Sequence, residues 1–231
     1  MNDRIVAIAG AAGGLGPTVT RAFSQAGAVL ALAGRDRAKL EALQGSLPGA
    51  AARITAVDLG DPDAARSWAG ELVRVFGRVD VVLQLVGGYA GGSSLSELAL
   101  GDWERMQGML VKTTLCVVRA FAGPLAASKG RFVAVTSPKA QAPTARSAVY
   151  AMSKAASDAL VLALADELRG TGATANLIVV DAIDAPEARD AGGAKPPARS
   201  TPAEQIAAAM LYLCSPTAAG INGARLPLTG K

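Results

Sequence analysis

Tyr150-Ala-Met-Ser-Lys154 sets a phenol and an ammonium four residues apart. On a helix that spacing puts both on one face. A free tyrosine has a pKa of ~10 and exchanges protons poorly near neutrality. A neighbouring cation favours the phenolate and lowers that value. Such a pair can pass a proton to or from a carbonyl or alcohol oxygen, an effect of about 10²–10⁴ in rate. Ser137 precedes Tyr150 by thirteen residues and follows an apolar run at 131–136. A hydroxyl at that strand end can hold the substrate oxygen if it feeds the same cleft. Taken alone, a Tyr and a Lys four apart read as a helix-surface pair; a glycine loop elsewhere in the chain changes the weighting.

That loop is Ala9-Gly10-Ala11-Ala12-Gly13-Gly14-Leu15-Gly16-Pro17, between an apolar run and a helical pattern. Glycines at 10, 13, 14 and 16 let backbone approach a pyrophosphate, and the helix N-terminus supplies free N–H groups and partial positive charge. Pro17 suits the first helical turn, where no N–H is needed. The Lys-Ser/Thr ending of a P-loop is absent, which argues against ATP or GTP hydrolysis. After the second apolar run comes Gly34-Arg35-Asp36. An acid at this strand end would grip a ribose 2′-hydroxyl, whereas an arginine accommodates a 2′-phosphate. Gly34 and Arg35 favour NADP(H); Asp36 could take the ribose role and keeps NAD(H) open.

The elements that must position these residues follow from periodicity. Strands are predicted at 5–9, 29–33, 54–57, 81–85, 131–136 and 175–180. Helices are predicted at 17–26, 37–44, 62–76, 101–127, 148–169 and 202–214. Strand–helix alternation at this spacing predicts right-handed βαβ units and a parallel sheet covered on both faces. The fold class is therefore α/β, a doubly wound parallel sheet in three layers (α/β/α), with residues 1–231 as a single domain. Two loops stand out: the glycine-rich 87–96, and 184–200, long enough to be a substrate loop.

Composition bounds the function. The 231 residues are 51% hydrophobic, which supplies a core and excludes disorder. The net charge of +4 is dispersed and forms no basic stripe, so no nucleic-acid partner is expected. With no histidine in the chain, mechanisms built on a histidine base or ligand are out, and no metal site is expected. Cys116 and Cys214 form no CxxC and fit buried thiols in a reducing, cytoplasmic compartment. The N-terminus lacks the long apolar run of a signal peptide. The longest uncharged stretch, Gln205 to Ala224, is broken by Pro216 and Gly220 and reads as helix, turn and strand; no membrane association is expected.

Over essentially its full length the chain resembles the short-chain dehydrogenase/reductases. The residues that carry the likeness are the glycine loop at 10–16, Asp58-Leu59, Ser137, Tyr150-x-x-x-Lys154 and Ile221-Asn222-Gly223. The resemblance implies a Rossmann-type fold, a nicotinamide cofactor, Tyr150 as proton donor and acceptor, and Lys154 bonding the nicotinamide ribose. It also implies Ser137 orienting the substrate and Asp58 contacting adenine, with Leu59, Gly87 and Ile183 bordering the cofactor.

Three departures stand against the family pattern. Gln84-Leu85-Val86-Gly87 replaces Asn-Asn-Ala-Gly, Leu110 takes the place of a helix Asn that belongs to a proton relay, and Val180-Asp181 replaces Pro-Gly. Gly87-Gly88-Tyr89-Ala90-Gly91-Gly92 and Ile183-Asp184-Ala185-Pro186 locally resemble dihydropteridine reductases. The expected function is NADP(H)-dependent hydride transfer between nicotinamide and a small carbonyl or alcohol. The alternatives are a dihydropteridine-reductase-like enzyme, or a sensor or scaffold that binds NADP without turnover. The Ala- and Leu-rich helix 148–169 keeps a second mostly apolar face at Ala155, Ala159, Leu162 and Asp166, which predicts a homodimer or homotetramer.

Overall fold

The computed structural model describes residues 1–47, 52–185 and 199–228. Six strands and six helical regions lie where the periodicity places them, within a few residues at each end. They are β1 (Ile5–Ala9), α1 (Gly16–Gln25), β2 (Val29–Gly34), α2 (Arg37–Gly45), β3 (Ala52–Ala56), α3 (Pro62–Phe76) and β4 (Val81–Gln84). The chain continues through α4 (Leu100–Met106), a π-helical segment (Gln107–Lys112), α5 (Thr113–Ser128), β5 (Arg131–Thr136), α6 (Ala148–Glu167) and β6 (Thr174–Val179). After β7 (Ala182–Asp184) and β8 (Ser200–Pro202) come α7 (Ala203–Leu213) and β9 (Arg225–Pro227).

Seven strands form one parallel sheet in the order β3-β2-β1-β4-β5-β6-β9. The chain moves outward from β1 to β3, then returns to the other side of β1 at β4. That reversal is a topological switch point, and it opens a crevice at the carboxyl ends of β1 and β4.

The two faces of the sheet bury different side chains. On one, Val6, Ile8, Leu30 and Leu32 pack with Val19 and Phe23 of α1, Leu40 of α2 and Ile206 and Met210 of α7. On the other, Ala7, Ala9, Ala31 and Ala33 leave room for α3 and α5, and Trp68 and Phe121 fill it edge to face at 5.1 Å. β1 is buried throughout, as a strand covered on both faces must be.

Local chemistry sets the helix ends. Asp36 caps α2 by accepting from the Lys39 N–H at 3.1 Å. Asp61 caps α3 by accepting from the Asp63 N–H at 2.8 Å, and α3 stops at Gly77 with φ +75°. Asp80, fully buried, accepts from the Ile5 N–H at 2.8 Å and pairs with Arg78, so it ties the start of β1 to that of β4.

Two expectations are refined. The helix expected at 101–127 is interrupted by the π-helical segment that contains Leu110. The expected loop 184–200 begins and ends in strands, because β7 and β8 pair in parallel with Ile183 opposite Thr201. The middle of that loop, 186–198, lies outside the described residues.

Candidate active site

The crevice is a cleft of about 1470 Å³, larger than the ~300–1,000 Å³ of ordinary small-ligand pockets. Gly10, Gly13, Gly14, Leu15, Arg35, Asp58, Leu59, Gly87, Tyr150, Lys154 and Ile183 all line it. Thus residues singled out from Gly10 to Ile183 in sequence converge on one cleft. Gly16 and Ser137 lie just behind the surface, both buried.

The glycines divide by role. Gly10 adopts φ +83°, and a Cβ there would stand 2.8 Å from the Val86 nitrogen, so β1 and β4 could not close up around any other residue. A Cβ on Gly16 would lie 2.0 Å from the Ala11 carbonyl oxygen, so this glycine lets the loop turn tightly into α1. A Cβ on Gly14 would meet nothing within 4 Å and would project into open space. Helix α1 has no side-chain cap and no acid in its first turn. Its positive end therefore faces the cleft uncompensated, the environment an anionic pyrophosphate requires.

Beyond β2, Arg35 and Lys39 line the cleft. The Asp36 carboxylate is engaged at the α2 cap and lies 3.9 Å from the Lys39 ammonium. Asp58 accepts from the Gly60 N–H at 2.9 Å, which holds the turn after β3 open at the rim.

At the other end, β5 delivers Ser137 and α6 delivers Tyr150 and Lys154. The Ser137 hydroxyl accepts from the Lys139 N–H at 3.3 Å and stands near the Tyr150 phenol. Burial raises the Tyr150 phenol above its ordinary value; Ser137 opposes the rise, and Asp158 and Tyr89 add to it. Lys154 donates to the Val135 carbonyl at 2.9 Å, with its ammonium 5.9 Å from the centre of the Tyr150 ring. The phenol is thus raised, not lowered as the four-residue spacing from Lys154 led us to expect, because burial is the largest influence on it. Burial also brings Lys154 down to about 8, and Asp158 pulls the other way.

Spacing did not single out several residues of this site. Tyr89 from the 87–96 loop packs on Tyr150 with ring centres 5.1 Å apart. The loop is held there by Arg146, whose carbonyl accepts from the Gly92 N–H at 2.8 Å and whose guanidinium donates to the Gly92 carbonyl at 2.7 Å. Gln84 lines the cleft from the end of β4. Leu110 is buried with Ala90, Met106 and Val149, so its side chain offers nothing polar. Its carbonyl, however, accepts from the Ser157 hydroxyl at 3.0 Å and from the Thr114 hydroxyl at 2.6 Å. No periodicity or motif flags Asp158, yet it is almost fully buried and paired with Arg225 of β9.

A family model described as enoyl-(acyl carrier protein) reductase matches residues 10–230. Meso-2,3-butanediol dehydrogenase of Serratia marcescens is 28% identical, over 99% of this chain and 94% of its own. A short-chain type dehydrogenase/reductase from Mycobacterium ulcerans superposes with a TM-score of 0.89 at 22% identity, over 99% of this chain and 89% of that one. A xylitol dehydrogenase solved with NAD+ gives a TM-score of 0.87 at 20% identity, over 100% and 99% of the two chains. The chain belongs to the short-chain dehydrogenase/reductase family of NAD(P)-dependent oxidoreductases.

Proposed function

We propose that the protein is an NADP(H)-dependent oxidoreductase that interconverts a small carbonyl compound and its alcohol. What carries this reading is the convergence of Ser137, Tyr150 and Lys154 at one end of the cleft that the glycine loop borders. The loop fits the dinucleotide: Gly14 leaves open space, and α1 aims an uncapped N-terminus at it. Gly10, Gly13, Gly14, Leu15 and Gly16 hold the pyrophosphate, Asp58 and Leu59 border the adenine, and Gly87 and Ile183 border the nicotinamide end. Arg35 and Lys39 favour a 2′-phosphate, since Asp36 already caps α2 and pairs with Lys39.

The bound nicotinamide supplies or accepts the hydride. Ser137 holds the substrate oxygen next to the Tyr150 hydroxyl. Tyr150 gives its proton to that oxygen in reduction and removes it in oxidation. Lys154 supplies positive charge beside Tyr150, which stabilises the phenolate that reduction leaves behind. Tyr89 packs on Tyr150 and helps exclude water from the transfer.

One observation favours a second reading, a binder of NADP without turnover: Leu110 carries no polar side chain where the family's relay Asn stands. The intact Ser137–Tyr150–Lys154 set weighs against it. A hydride-transfer assay separates the two readings. A panel of carbonyls, quinones and pteridines is screened with NADPH and NADH, on wild type and Tyr150→Phe. Turnover on at least one substrate, lost in Tyr150→Phe with cofactor affinity retained, is expected. Tight NADPH binding with no turnover across the panel would favour the sensor, and pteridine-selective turnover would favour the dihydropteridine-reductase-like alternative. We further infer a cytoplasmic homo-oligomer with no membrane or nucleic-acid partner. The two free, buried cysteines, the dispersed charge and the exposed small residues of α6 support that inference.

A further inference from the structure

Behind the catalytic wall lies a small internal chamber of about 10 Å³, at the lower limit for a single water. Gln84 and Lys154 line both this chamber and the cofactor cleft. Its far wall carries Thr114, Ser157 and Asp158. Asp158 sits one helical turn beyond Lys154, the same four-residue step that separates Lys154 from Tyr150. The carboxylate is 2% exposed and forms an ion pair with Arg225, which reaches it from β9. Gln84 is 4% exposed, donates to the Thr114 hydroxyl at 3.3 Å, and leaves its own Oε1 buried without a partner.

A carboxylate is placed inside an apolar sheet–helix layer only at a large desolvation cost. Burial pushes the Asp158 carboxyl above its ordinary range, and Arg225 and Lys154 oppose that rise. The charged and titratable groups that face Asp158 are Tyr150 and Lys154 on its own helix and Arg225 on β9. From the elements packed against it, β4, β5 and α5 bring Gln84, Thr136 and Thr114, none of them charged, and α6 itself adds Ser157. Asp158 is thus the negative charge that acts on Lys154 from the interior, on the side away from the cofactor.

We propose that Asp158 is a positioning residue of the active site: clamped by Arg225, its buried carboxylate keeps Lys154 in the cationic form that Tyr150 needs. The chamber and the free Gln84 oxygen complete a polar layer behind the lysine. Here the layer is built from β4, α6 and β9, and the π-helical segment contributes only the Leu110 carbonyl, held by Ser157 and Thr114. The proposal rests on the reading of Lys154 as a catalytic residue.

The test is a titration of Lys154 in the cofactor-free protein by NMR of 13C-lysine-labelled samples, with Lys154→Met to assign the signal. Wild type is expected to titrate near the value of about 8 set by burial and Asp158 together. Asp158→Asn should move the midpoint down by about half a pH unit or more, because a lost carboxylate no longer favours the ammonium. The alkaline limb of kcat/KM for carbonyl reduction should move down with it. Asp158→Asn leaves Arg225 without its partner and can unfold the protein. The double variant Asp158→Asn/Arg225→Gln removes both charges and carries the same measurement. A folded single or double variant whose Lys154 midpoint coincides with wild type overturns the proposal. Retained turnover in Lys154→Met would instead remove the catalytic reading on which it rests, whatever the titration gave.

Discussion

Lys154, which we propose acts beside Tyr150, is held at a cost in stability. Its ammonium is held in the interior, and its pKa falls from the ordinary 10.5 to about 8. A base with a depressed folded-state pKa binds fewer protons folded than unfolded between those values. Stability therefore rises with pH through that window, and the full penalty is felt below it. Lys154→Met should raise the Tm at pH 7 by about 5 °C. The gain should shrink as the pH rises from 8 towards 10.5, as thermal melts across that range would show; a gain independent of pH would mean the lysine is not desolvated. The proposed role of Arg35 is of the opposite kind and touches cofactor choice alone. Arg35 lines the cleft, so Arg35→Ala should weaken NADPH binding about ten-fold or more and leave NADH nearly unchanged. Equal losses for both cofactors, measured by fluorescence titration, would remove Arg35 from the 2′-phosphate site.

The β1–α1 turn makes its prediction as an element. Gly14 and Gly16 are two residues apart and look interchangeable in sequence. The space around them is not. Alanine at 14 adds a methyl to open cleft, so Gly14→Ala should keep or slightly raise the Tm while it weakens dinucleotide binding. Alanine at 16 collides with the Ala11 carbonyl, so Gly16→Ala should lose both, with about 1–3 kcal/mol of stability. Melting curves and cofactor titrations on the two variants check this; equal Tm losses would mean Gly14 also serves only the turn. The π-helical segment is an element of another kind. It interrupts the long helix at Leu110, whose carbonyl takes two side-chain hydroxyl donors besides the Thr113 N–H, an arrangement the apolar periodicity of 101–127 conceals.

For the whole molecule the open question is what covers α6. Its exposed residues include Met152, Ala155, Ala159 and Asp166, with Leu162 half-buried, as the sequence pattern anticipates. Leu115 on the neighbouring α5 is exposed as well. Small side chains on this face permit close approach of a second copy. The stretches that contain α5 and α6 are long and apolar enough to cross a membrane by composition alone. About half of each lies buried against the sheet, as in core helices. Light scattering at micromolar concentration should give a multiple of the 23.2 kDa chain mass. Ala159→Arg should reduce it towards one chain. A wild-type mass of 23.2 kDa, unchanged by NADPH, would leave α6 unpaired.

Sequence alone was enough for the parallel α/β architecture and the glycine loop that borders the cleft, because both rest on local rules. Buried strands such as Ile5–Ala9 read as continuous apolar runs, and the caps at Asp36 and Asp61 and the stop at Gly77 act within a few residues. Tyr150 and Lys154 were legible for the same reason, since an i, i+4 step on one helix needs no tertiary knowledge. The pairing of β7 with β8 was not, since three-residue strands carry too little periodicity to stand apart from a loop. Nor were the environments of Tyr150 and Lys154. Tyr150 titrates high and Lys154 low because the sheet and its helices exclude water from both, and burial is a property of the assembled layers. Asp158 and Arg225 lie 67 positions apart, and either one alone looks like an ordinary surface charge. Only the folding of β9 against β6 brings the arginine to the carboxylate, where low dielectric turns an unremarkable pair into a strong one.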